Sequence, residues 1–329
     1  MTAPTSRRYI TTLVVLAMLN IAVGGGLAWS ITSREGVRII PPTATEYAAD
    51  ALTHMDHGLG ARGPAWTATR AQALRTTSGK NSYEQTWSAL EDATRTAGRG
   101  KGIFTPAATI TPRTDPTGPM PTVNSENGIT TLTLPRVPSN APPHNQKYAD
   151  QLASNIDVTR PRTTCGWIVD LRELNNSDAH PVLAGLTPLF PNGPLMTLTD
   201  NQGTTTTAAI EGGTLTMNGS WRFGTYRAYP KTHAPVAVLL SPRTSGPGEI
   251  ATVALTGRPN TRTFGAPTSG NATMDKTWQL YDGSRLTLPT HQATSIHGAP
   301  AIGSITPDSP TPTDQTEERA RTWLTHQCR

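Results

Sequence analysis

Aromatic residues make up only 5% of this 329-residue chain, charged residues only 16%, and there are two cysteines. Each scarcity excludes something. Cys165 and Cys328 are too few to build a four-ligand zinc site. The eight histidines contain no H-E-x-x-H pair. His54 and His57 stand three apart and could share a helical face, but no third ligand adjoins them. No metal and no cofactor is therefore expected. The net charge of +5 comes from scattered arginines without a dense basic block or aromatic interleaving, which argues against nucleic acid as a partner. The Gly-rich run AGRGKG at 97–102 lacks the spacing and the terminal Lys-Ser/Thr of a phosphate loop, so nucleotide binding is rejected.

Gly and Pro, by contrast, are plentiful at 29 each, which predicts many turns. The length suffices for one large or two small domains with a sizeable core. One long apolar run stands out, Ile10 to Ile31, without a charged residue. It is long enough to cross a bilayer. Arg7 and Arg8 precede it and favour a cytoplasmic start, with the remainder outside. The rival is a cleaved signal peptide, but no clean small-x-small site precedes Ser33. No Cys follows closely, which argues against a lipoprotein anchor. The expectation is a single-pass protein of the cell membrane with an extracytoplasmic C-terminal domain, residues 1–32 forming the cytoplasmic tip and anchor.

Residues 33–106 read as a helical cap. Thr43-x-x-Glu46 fits a capping box, with Tyr47, Ala51 and Met55 near helical spacing. A second helix spans Trp66 to Leu74. A third starts at Ser82, where Ser82-x-x-Gln85 again fits the box, and Gly98 ends it. Residues 107–127 read as a Pro/Thr-rich linker. Residues 128–329 read as an α/β core. Its strands are expected at 129–134, 167–171, 195–199, 205–210, 213–217, 236–240 and 262–265. Its helices are expected at 145–156, 181–189, 249–255 and 312–329.

Within the core, Val236–Leu240, the turn Ser241–Gly248 and the segment from Glu249 form a strand, a sharp turn and a helix. That layout lifts a turn side chain to the top of a sheet, beside the positive end of a helix. Ser245 is the hydroxyl there. Ser-Gly-Pro-Gly is also ordinary loop chemistry.

T-S-G-P-G-E at 244–249, V-D-L-R at 169–172, Y-D-G-S at 281–284 and T-P-D at 306–308 resemble the C-terminal-processing, or tail-specific, serine peptidase family. The similarity runs from about Ile39 to the C-terminus. It implies a crotonase- or Clp-protease-like β-β-α core, peptide hydrolysis, and an extended peptide or protein C-terminus as partner. Several catalytic positions depart from the pattern. The family's nucleophile lies two residues after the turn Thr, which is Gly246 here, with Ser245 one residue early. One branch takes its base from a His after the third cap helix, where this chain has Lys101 or Gly102. Other members use a Lys in a T-x-G-K turn, here Thr268-Ser269-Gly270-Asn271. The oxyanion segment's Gly pair is replaced by Asn176 and Ser177, while Asp170 and Arg172 persist and could brace a loop by a salt bridge.

Two readings follow. One is a pseudopeptidase that holds an extended peptide without cutting it. The other is an active serine peptidase of surface or antimicrobial peptides, with Ser245 as nucleophile and a desolvated Lys101 as base. Cys165 and Cys328 would both lie outside the membrane, where a disulfide can persist, but the sequence does not give their separation.

Overall fold

The computed structural model describes residues 41–110, 118–138, 141–175, 178–298 and 301–328. The apolar run 10–31 and the pair Asn176–Ser177 lie outside them. Among the described residues no helix is long and apolar enough to cross a membrane.

Three helices come first: α1 (Ala44–Met55), α2 (Gly63–Thr77) and α3 (Glu84–Ala97). The box at the start of α1 closes. Thr43 Oγ1 accepts from the Glu46 N–H at 3.2 Å, and Glu46 Oε2 accepts from the Thr43 N–H at 2.8 Å. The box expected at Ser82 does not close: Gln85 Oε1 accepts from the Asn81 N–H instead, and α3 opens at Glu84. Tyr47, Leu52, Met55, Trp66 and Leu90 form a core shared with Phe104, Leu286 and Leu288, so the cap packs onto the sheet beneath it. His54 and His57 both stack on Trp278, at 5.5 and 6.1 Å.

The rest alternates strands and helices. In order these are β1 (Ile103–Thr105), β2 (Thr122–Glu126), β3 (Ile129–Thr133), α4 (Pro142–Thr159), β4 (Gly166–Asp170), α5 (Ala179–Gly185) and β5 (Gly193–Asp200). Then come β6 (Thr205–Glu211), β7 (Thr214–Met217), β8 (Trp221–Gly224), β9 (Val236–Leu240), α6 (Pro247–Thr256) and β10 (Thr261–Gly265). Last are β11 (Thr273–Gln279), β12 (Arg285–Ser295), β13 (Ser309–Pro310) and α7 (Thr316–Thr325). Two sheets result. One runs β13-β10-β9-β4-β3-β2 and is parallel except at β2. The other is antiparallel and runs β1-β12-β5-β6-β7-β8, with β11 also on β12.

β9 is central, and all five of its residues are buried. Val236, Val238 and Leu240 enter one core with α4, α5 and α6, while Ala237 and Leu239 enter another with Ala320 and Leu324 of α7. Covering both faces of a parallel strand is why the run reads as continuously apolar. Cys165, at the start of β4, is joined to Cys328, just past α7. The bond fastens the last helix beside the apolar face it already covers.

Further features differ from the sequence expectation. β2 falls inside the stretch read as a linker, because an exposed edge strand needs no apolar alternation. The β11–β12 hairpin also goes unforeseen, since Lys, Asp and Gln dilute its pattern. The turn joining those strands is Y-D-G-S. Asp282 Oδ2 accepts from Ser284 Oγ at 2.8 Å and from Trp87 Nε1 at 3.2 Å, so this motif docks the cap. The T-P-D motif is structural too: Asp308 Oδ2 accepts from both Thr263 N–H and Thr263 Oγ1 at 2.9 Å.

Candidate functional site

The C-terminal ends of β4, β9 and β10 lie side by side, so the three loops that follow them meet. Short side chains fasten these loops together. Ser241 Oγ donates to Arg172 O at 2.6 Å, and Thr244 Oγ1 to Leu171 O at 2.9 Å. The Ser245 N–H bonds Leu174 O at 3.1 Å, and the Ser269 N–H bonds Thr244 O at 3.1 Å. Arg243 pairs with Glu173. Asp170 and Arg172 form a two-pronged pair at 2.9 and 2.6 Å, with Glu317 3.8 Å away. Its hydrogen bond to Asp170 raises the Arg172 pKa above the usual guanidinium value, against its partial burial. This pair braces the loop.

Gly246 stands at the head of α6 with φ 52° and ψ −108°. An L-residue reaches that conformation only under strain. It suits the sharp strand-to-helix elbow that displays a nucleophile. A side chain placed on Gly246 would enter open space, and its nearest neighbour would be Asn271 Nδ2, 3.9 Å from the Cβ. Positions 246 and 271 therefore face each other. Here they carry a hydrogen and a carboxamide. Gly248 is a glycine for a different reason, since a Cβ there would come within 2.5 Å of Leu174 O.

Two further residues define the site, and the sequence reading passed over both. Pro247 follows the elbow position and has no N–H to offer an oxyanion. Glu249 is fully buried. Its carboxylate accepts from the Gly246 N–H at 3.2 Å, the Gly270 N–H at 2.8 Å and the Asn271 N–H at 2.6 Å. Ser269 Oγ donates to it at 3.3 Å, and Thr268 Oγ1 donates as well. The donors around the elbow thus converge on the chain's own carboxylate. The Pro directly after Gly246 was visible in the sequence. The Glu249 hub was not, because it joins residues about twenty apart.

Ser245 and Lys101 are not brought together. Lys101 is exposed in the turn after α3, where its N–H bonds Gly98 O at 2.9 Å. Ser245 is half-buried beside Leu174. Among the described residues no hydrogen bond reaches its hydroxyl from a base. Asn176 and Ser177 lie outside the described residues. Among those described, no cluster of three metal-ligating side chains occurs.

Residues 129–311 match the family model described as Peptidase family S41, and the chain belongs to that family. Among curated proteins it is similar to the nisin-resistance protein of Lactococcus lactis subsp. lactis, 28% identical over 254 residues, covering 77% of this chain and 78% of that protein. Among solved structures it is similar to a lipoprotein from Streptococcus agalactiae, with TM-score 0.72 and 22% identity over 88% of this chain and 99% of that one. It is also similar to the photosystem II D1 C-terminal processing protease, with TM-score 0.55 and 12% identity, over 83% of this chain and 94% of that one. The structural likenesses speak for the fold.

Proposed function

We propose that this chain is a peptide-binding member of family S41 that does not cleave, held at the outer face of the membrane by residues 10–31, on a Clp-protease-like β-β-α core. The observation that carries the reading is the elbow. Its backbone suits the display of a nucleophile, yet Gly246 has no side chain, and Asn271, whose amide nitrogen lies 3.9 Å from where a Cβ at 246 would stand, carries no base. A hydroxyl without a paired base is a weak nucleophile near neutral pH, and Ser245 is such a hydroxyl. The exposed edge of β11 beside Asn271 can still pair with an extended peptide through its backbone. Similarity to the nisin-resistance protein suggests antimicrobial peptides as the class to try first.

Wild type and Ser245→Ala are expected to bind the same panel of antimicrobial and unstructured peptides and to leave every member intact by mass spectrometry. Cleavage by wild type that disappears in Ser245→Ala would instead make Ser245 a displaced nucleophile.

The anchor has its own test. The Cys165–Cys328 bond fits an oxidising compartment. Intact chain is expected in the membrane fraction, with the two cysteines linked in unreduced digests. Uncleaved chain in the soluble fraction, or two free thiols, overturns this part.

A further inference from the structure

A line of short polar side chains runs from the elbow along β11. Asn271 turns its Nδ2 toward Gly246 and its Oδ1 toward Thr273, whose Oγ1 lies 3.1 Å away. The same Oγ1 lies 3.0 Å from Asp275 Oδ1. One hydroxyl hydrogen cannot serve both acceptors. Met274 packs on the main core and Trp278 on the cap core, so the odd-numbered residues of β11 take the outer face. Asp275 ends the line there. Among the described residues its carboxylate has no other hydrogen bond and no ion pair.

Asp275 is exposed, so a ligand reaches it, yet enough protein surrounds the carboxyl to raise its pKa above the usual aspartate value, against the bond from Thr273. A carboxylate so placed gains more from a cation than one in open water does. The cations nearby are turned elsewhere. Lys276 takes the opposite face, its ammonium 4.9 Å over the Trp278 ring. His291 stands opposite Met274, on that same inner face. Arg285 shares the outer face but pairs with Gln279, four residues or about 13 Å further along the strand. From α6 the one charged side chain is Glu249, whose carboxylate is already filled with donors.

A charge on an edge strand also discourages unwanted pairing. That device accounts for a charge at 275, but not for its place at the end of a line that leads to Asn271. The backbone there is open. β11 pairs only with β12. Thr290 Oγ1 donates to Met274 O at 3.2 Å, so that carbonyl points to β12, and by alternation the N–H and C=O of Asp275 point outward. A peptide residue paired there puts its side chain on the face of Asp275, with the two Cβ atoms about 5 Å apart. A lysine or arginine reaches the carboxylate from that distance, while an acidic side chain is repelled. Resting on the reading of β11 as a peptide-binding edge, we infer that Asp275 selects the peptide: the strand that is taken up carries a lysine or arginine beside it.

The test uses the full chain in detergent and three fluorescent peptides that alternate Val with Lys, Gln or Glu, read by anisotropy. Lys–Val is expected to bind about tenfold tighter than Gln–Val, and Glu–Val more weakly than either. The chain carries a net charge of +5, so a general charge effect would give the opposite order. Asp275→Asn should remove the preference for Lys–Val and leave the affinity for Gln–Val unchanged. Asp275→Lys should reverse the order in favour of Glu–Val. Near-ultraviolet circular dichroism checks that both variants stay folded. Equal binding of Lys–Val and Gln–Val by wild type, or a preference that survives both variants, overturns this inference and leaves the peptide-binding reading standing. Binding of none of the three peptides overturns both.

Discussion

Gly246→Ser combined with Asn271→Lys is expected to react covalently with a serine-directed fluorophosphonate, and the wild-type chain is expected to stay unlabelled. The elbow is already built, and a Ser side chain at 246 would start 3.9 Å from the atom that a Lys at 271 would replace. Serine at φ 52° is strained by roughly 1–3 kcal/mol, a cost the surrounding hydrogen bonds of α6 and Glu249 can hold. Gly246→Ser alone should label more slowly, by about 10²–10⁴-fold, because general-base assistance is missing. Peptide turnover by the double variant should remain poor even so. Pro247 contributes no N–H, and the Gly246 N–H is engaged by Glu249. Loss of one oxyanion donor lowers the rate by about 10²–10³. Labelling read by intact mass is therefore the sensitive measure. A folded double variant that stays unlabelled would show that position 246 is not the nucleophile elbow. A labelled wild type would show that the site is not eroded at all.

How much of this could be read from the chain depended on how local the cause was. The Thr43 box, the apolar run Val236–Leu240 and the strand–turn–helix at 236–256 are set by neighbours, and the structure has them where the residues placed them. Gly246 and Asn271 could be singled out as well, because each lies inside a short motif. What was not legible is their meeting across the top of the sheet, which depends on β9 and β10 being adjacent and parallel. Glu249 reads as an ordinary acid in the first turn of a helix. Only the fold turns it into the acceptor for a loop about twenty residues on. β8 escaped for a similar reason, since four exposed or half-exposed residues after a Gly-Ser turn show no alternation to count.

Glu249→Ala is expected to be the most destabilising single substitution at this end of the sheet. The side chain is fully buried and accepts from three backbone N–H groups and two hydroxyls. Alanine removes every one of those acceptors and leaves a cavity that cannot fully collapse. An unsatisfied buried donor costs about 1–3 kcal/mol, and breaking a buried charged network costs about 3–5 kcal/mol. The urea midpoint of the full chain should fall by the equivalent of about 3–5 kcal/mol. Glu249→Gln should fall less, since its oxygen can still accept, but its amide hydrogens then face the remaining donors. The loss should also show locally. The Gly270 and Asn271 N–H groups both bond this carboxylate, so removing it leaves the Ser269 N–H bond to Thr244 O to hold the turn and loosens Asn271 over Gly246. Placed into Gly246→Ser/Asn271→Lys, the Glu249→Gln change should therefore slow phosphonate labelling under conditions where the protein remains folded. A purely stabilising residue would leave that rate unchanged. A Glu249→Ala midpoint within about 1 kcal/mol of wild type would mean that the donors find water or other partners, and the hub reading would be wrong.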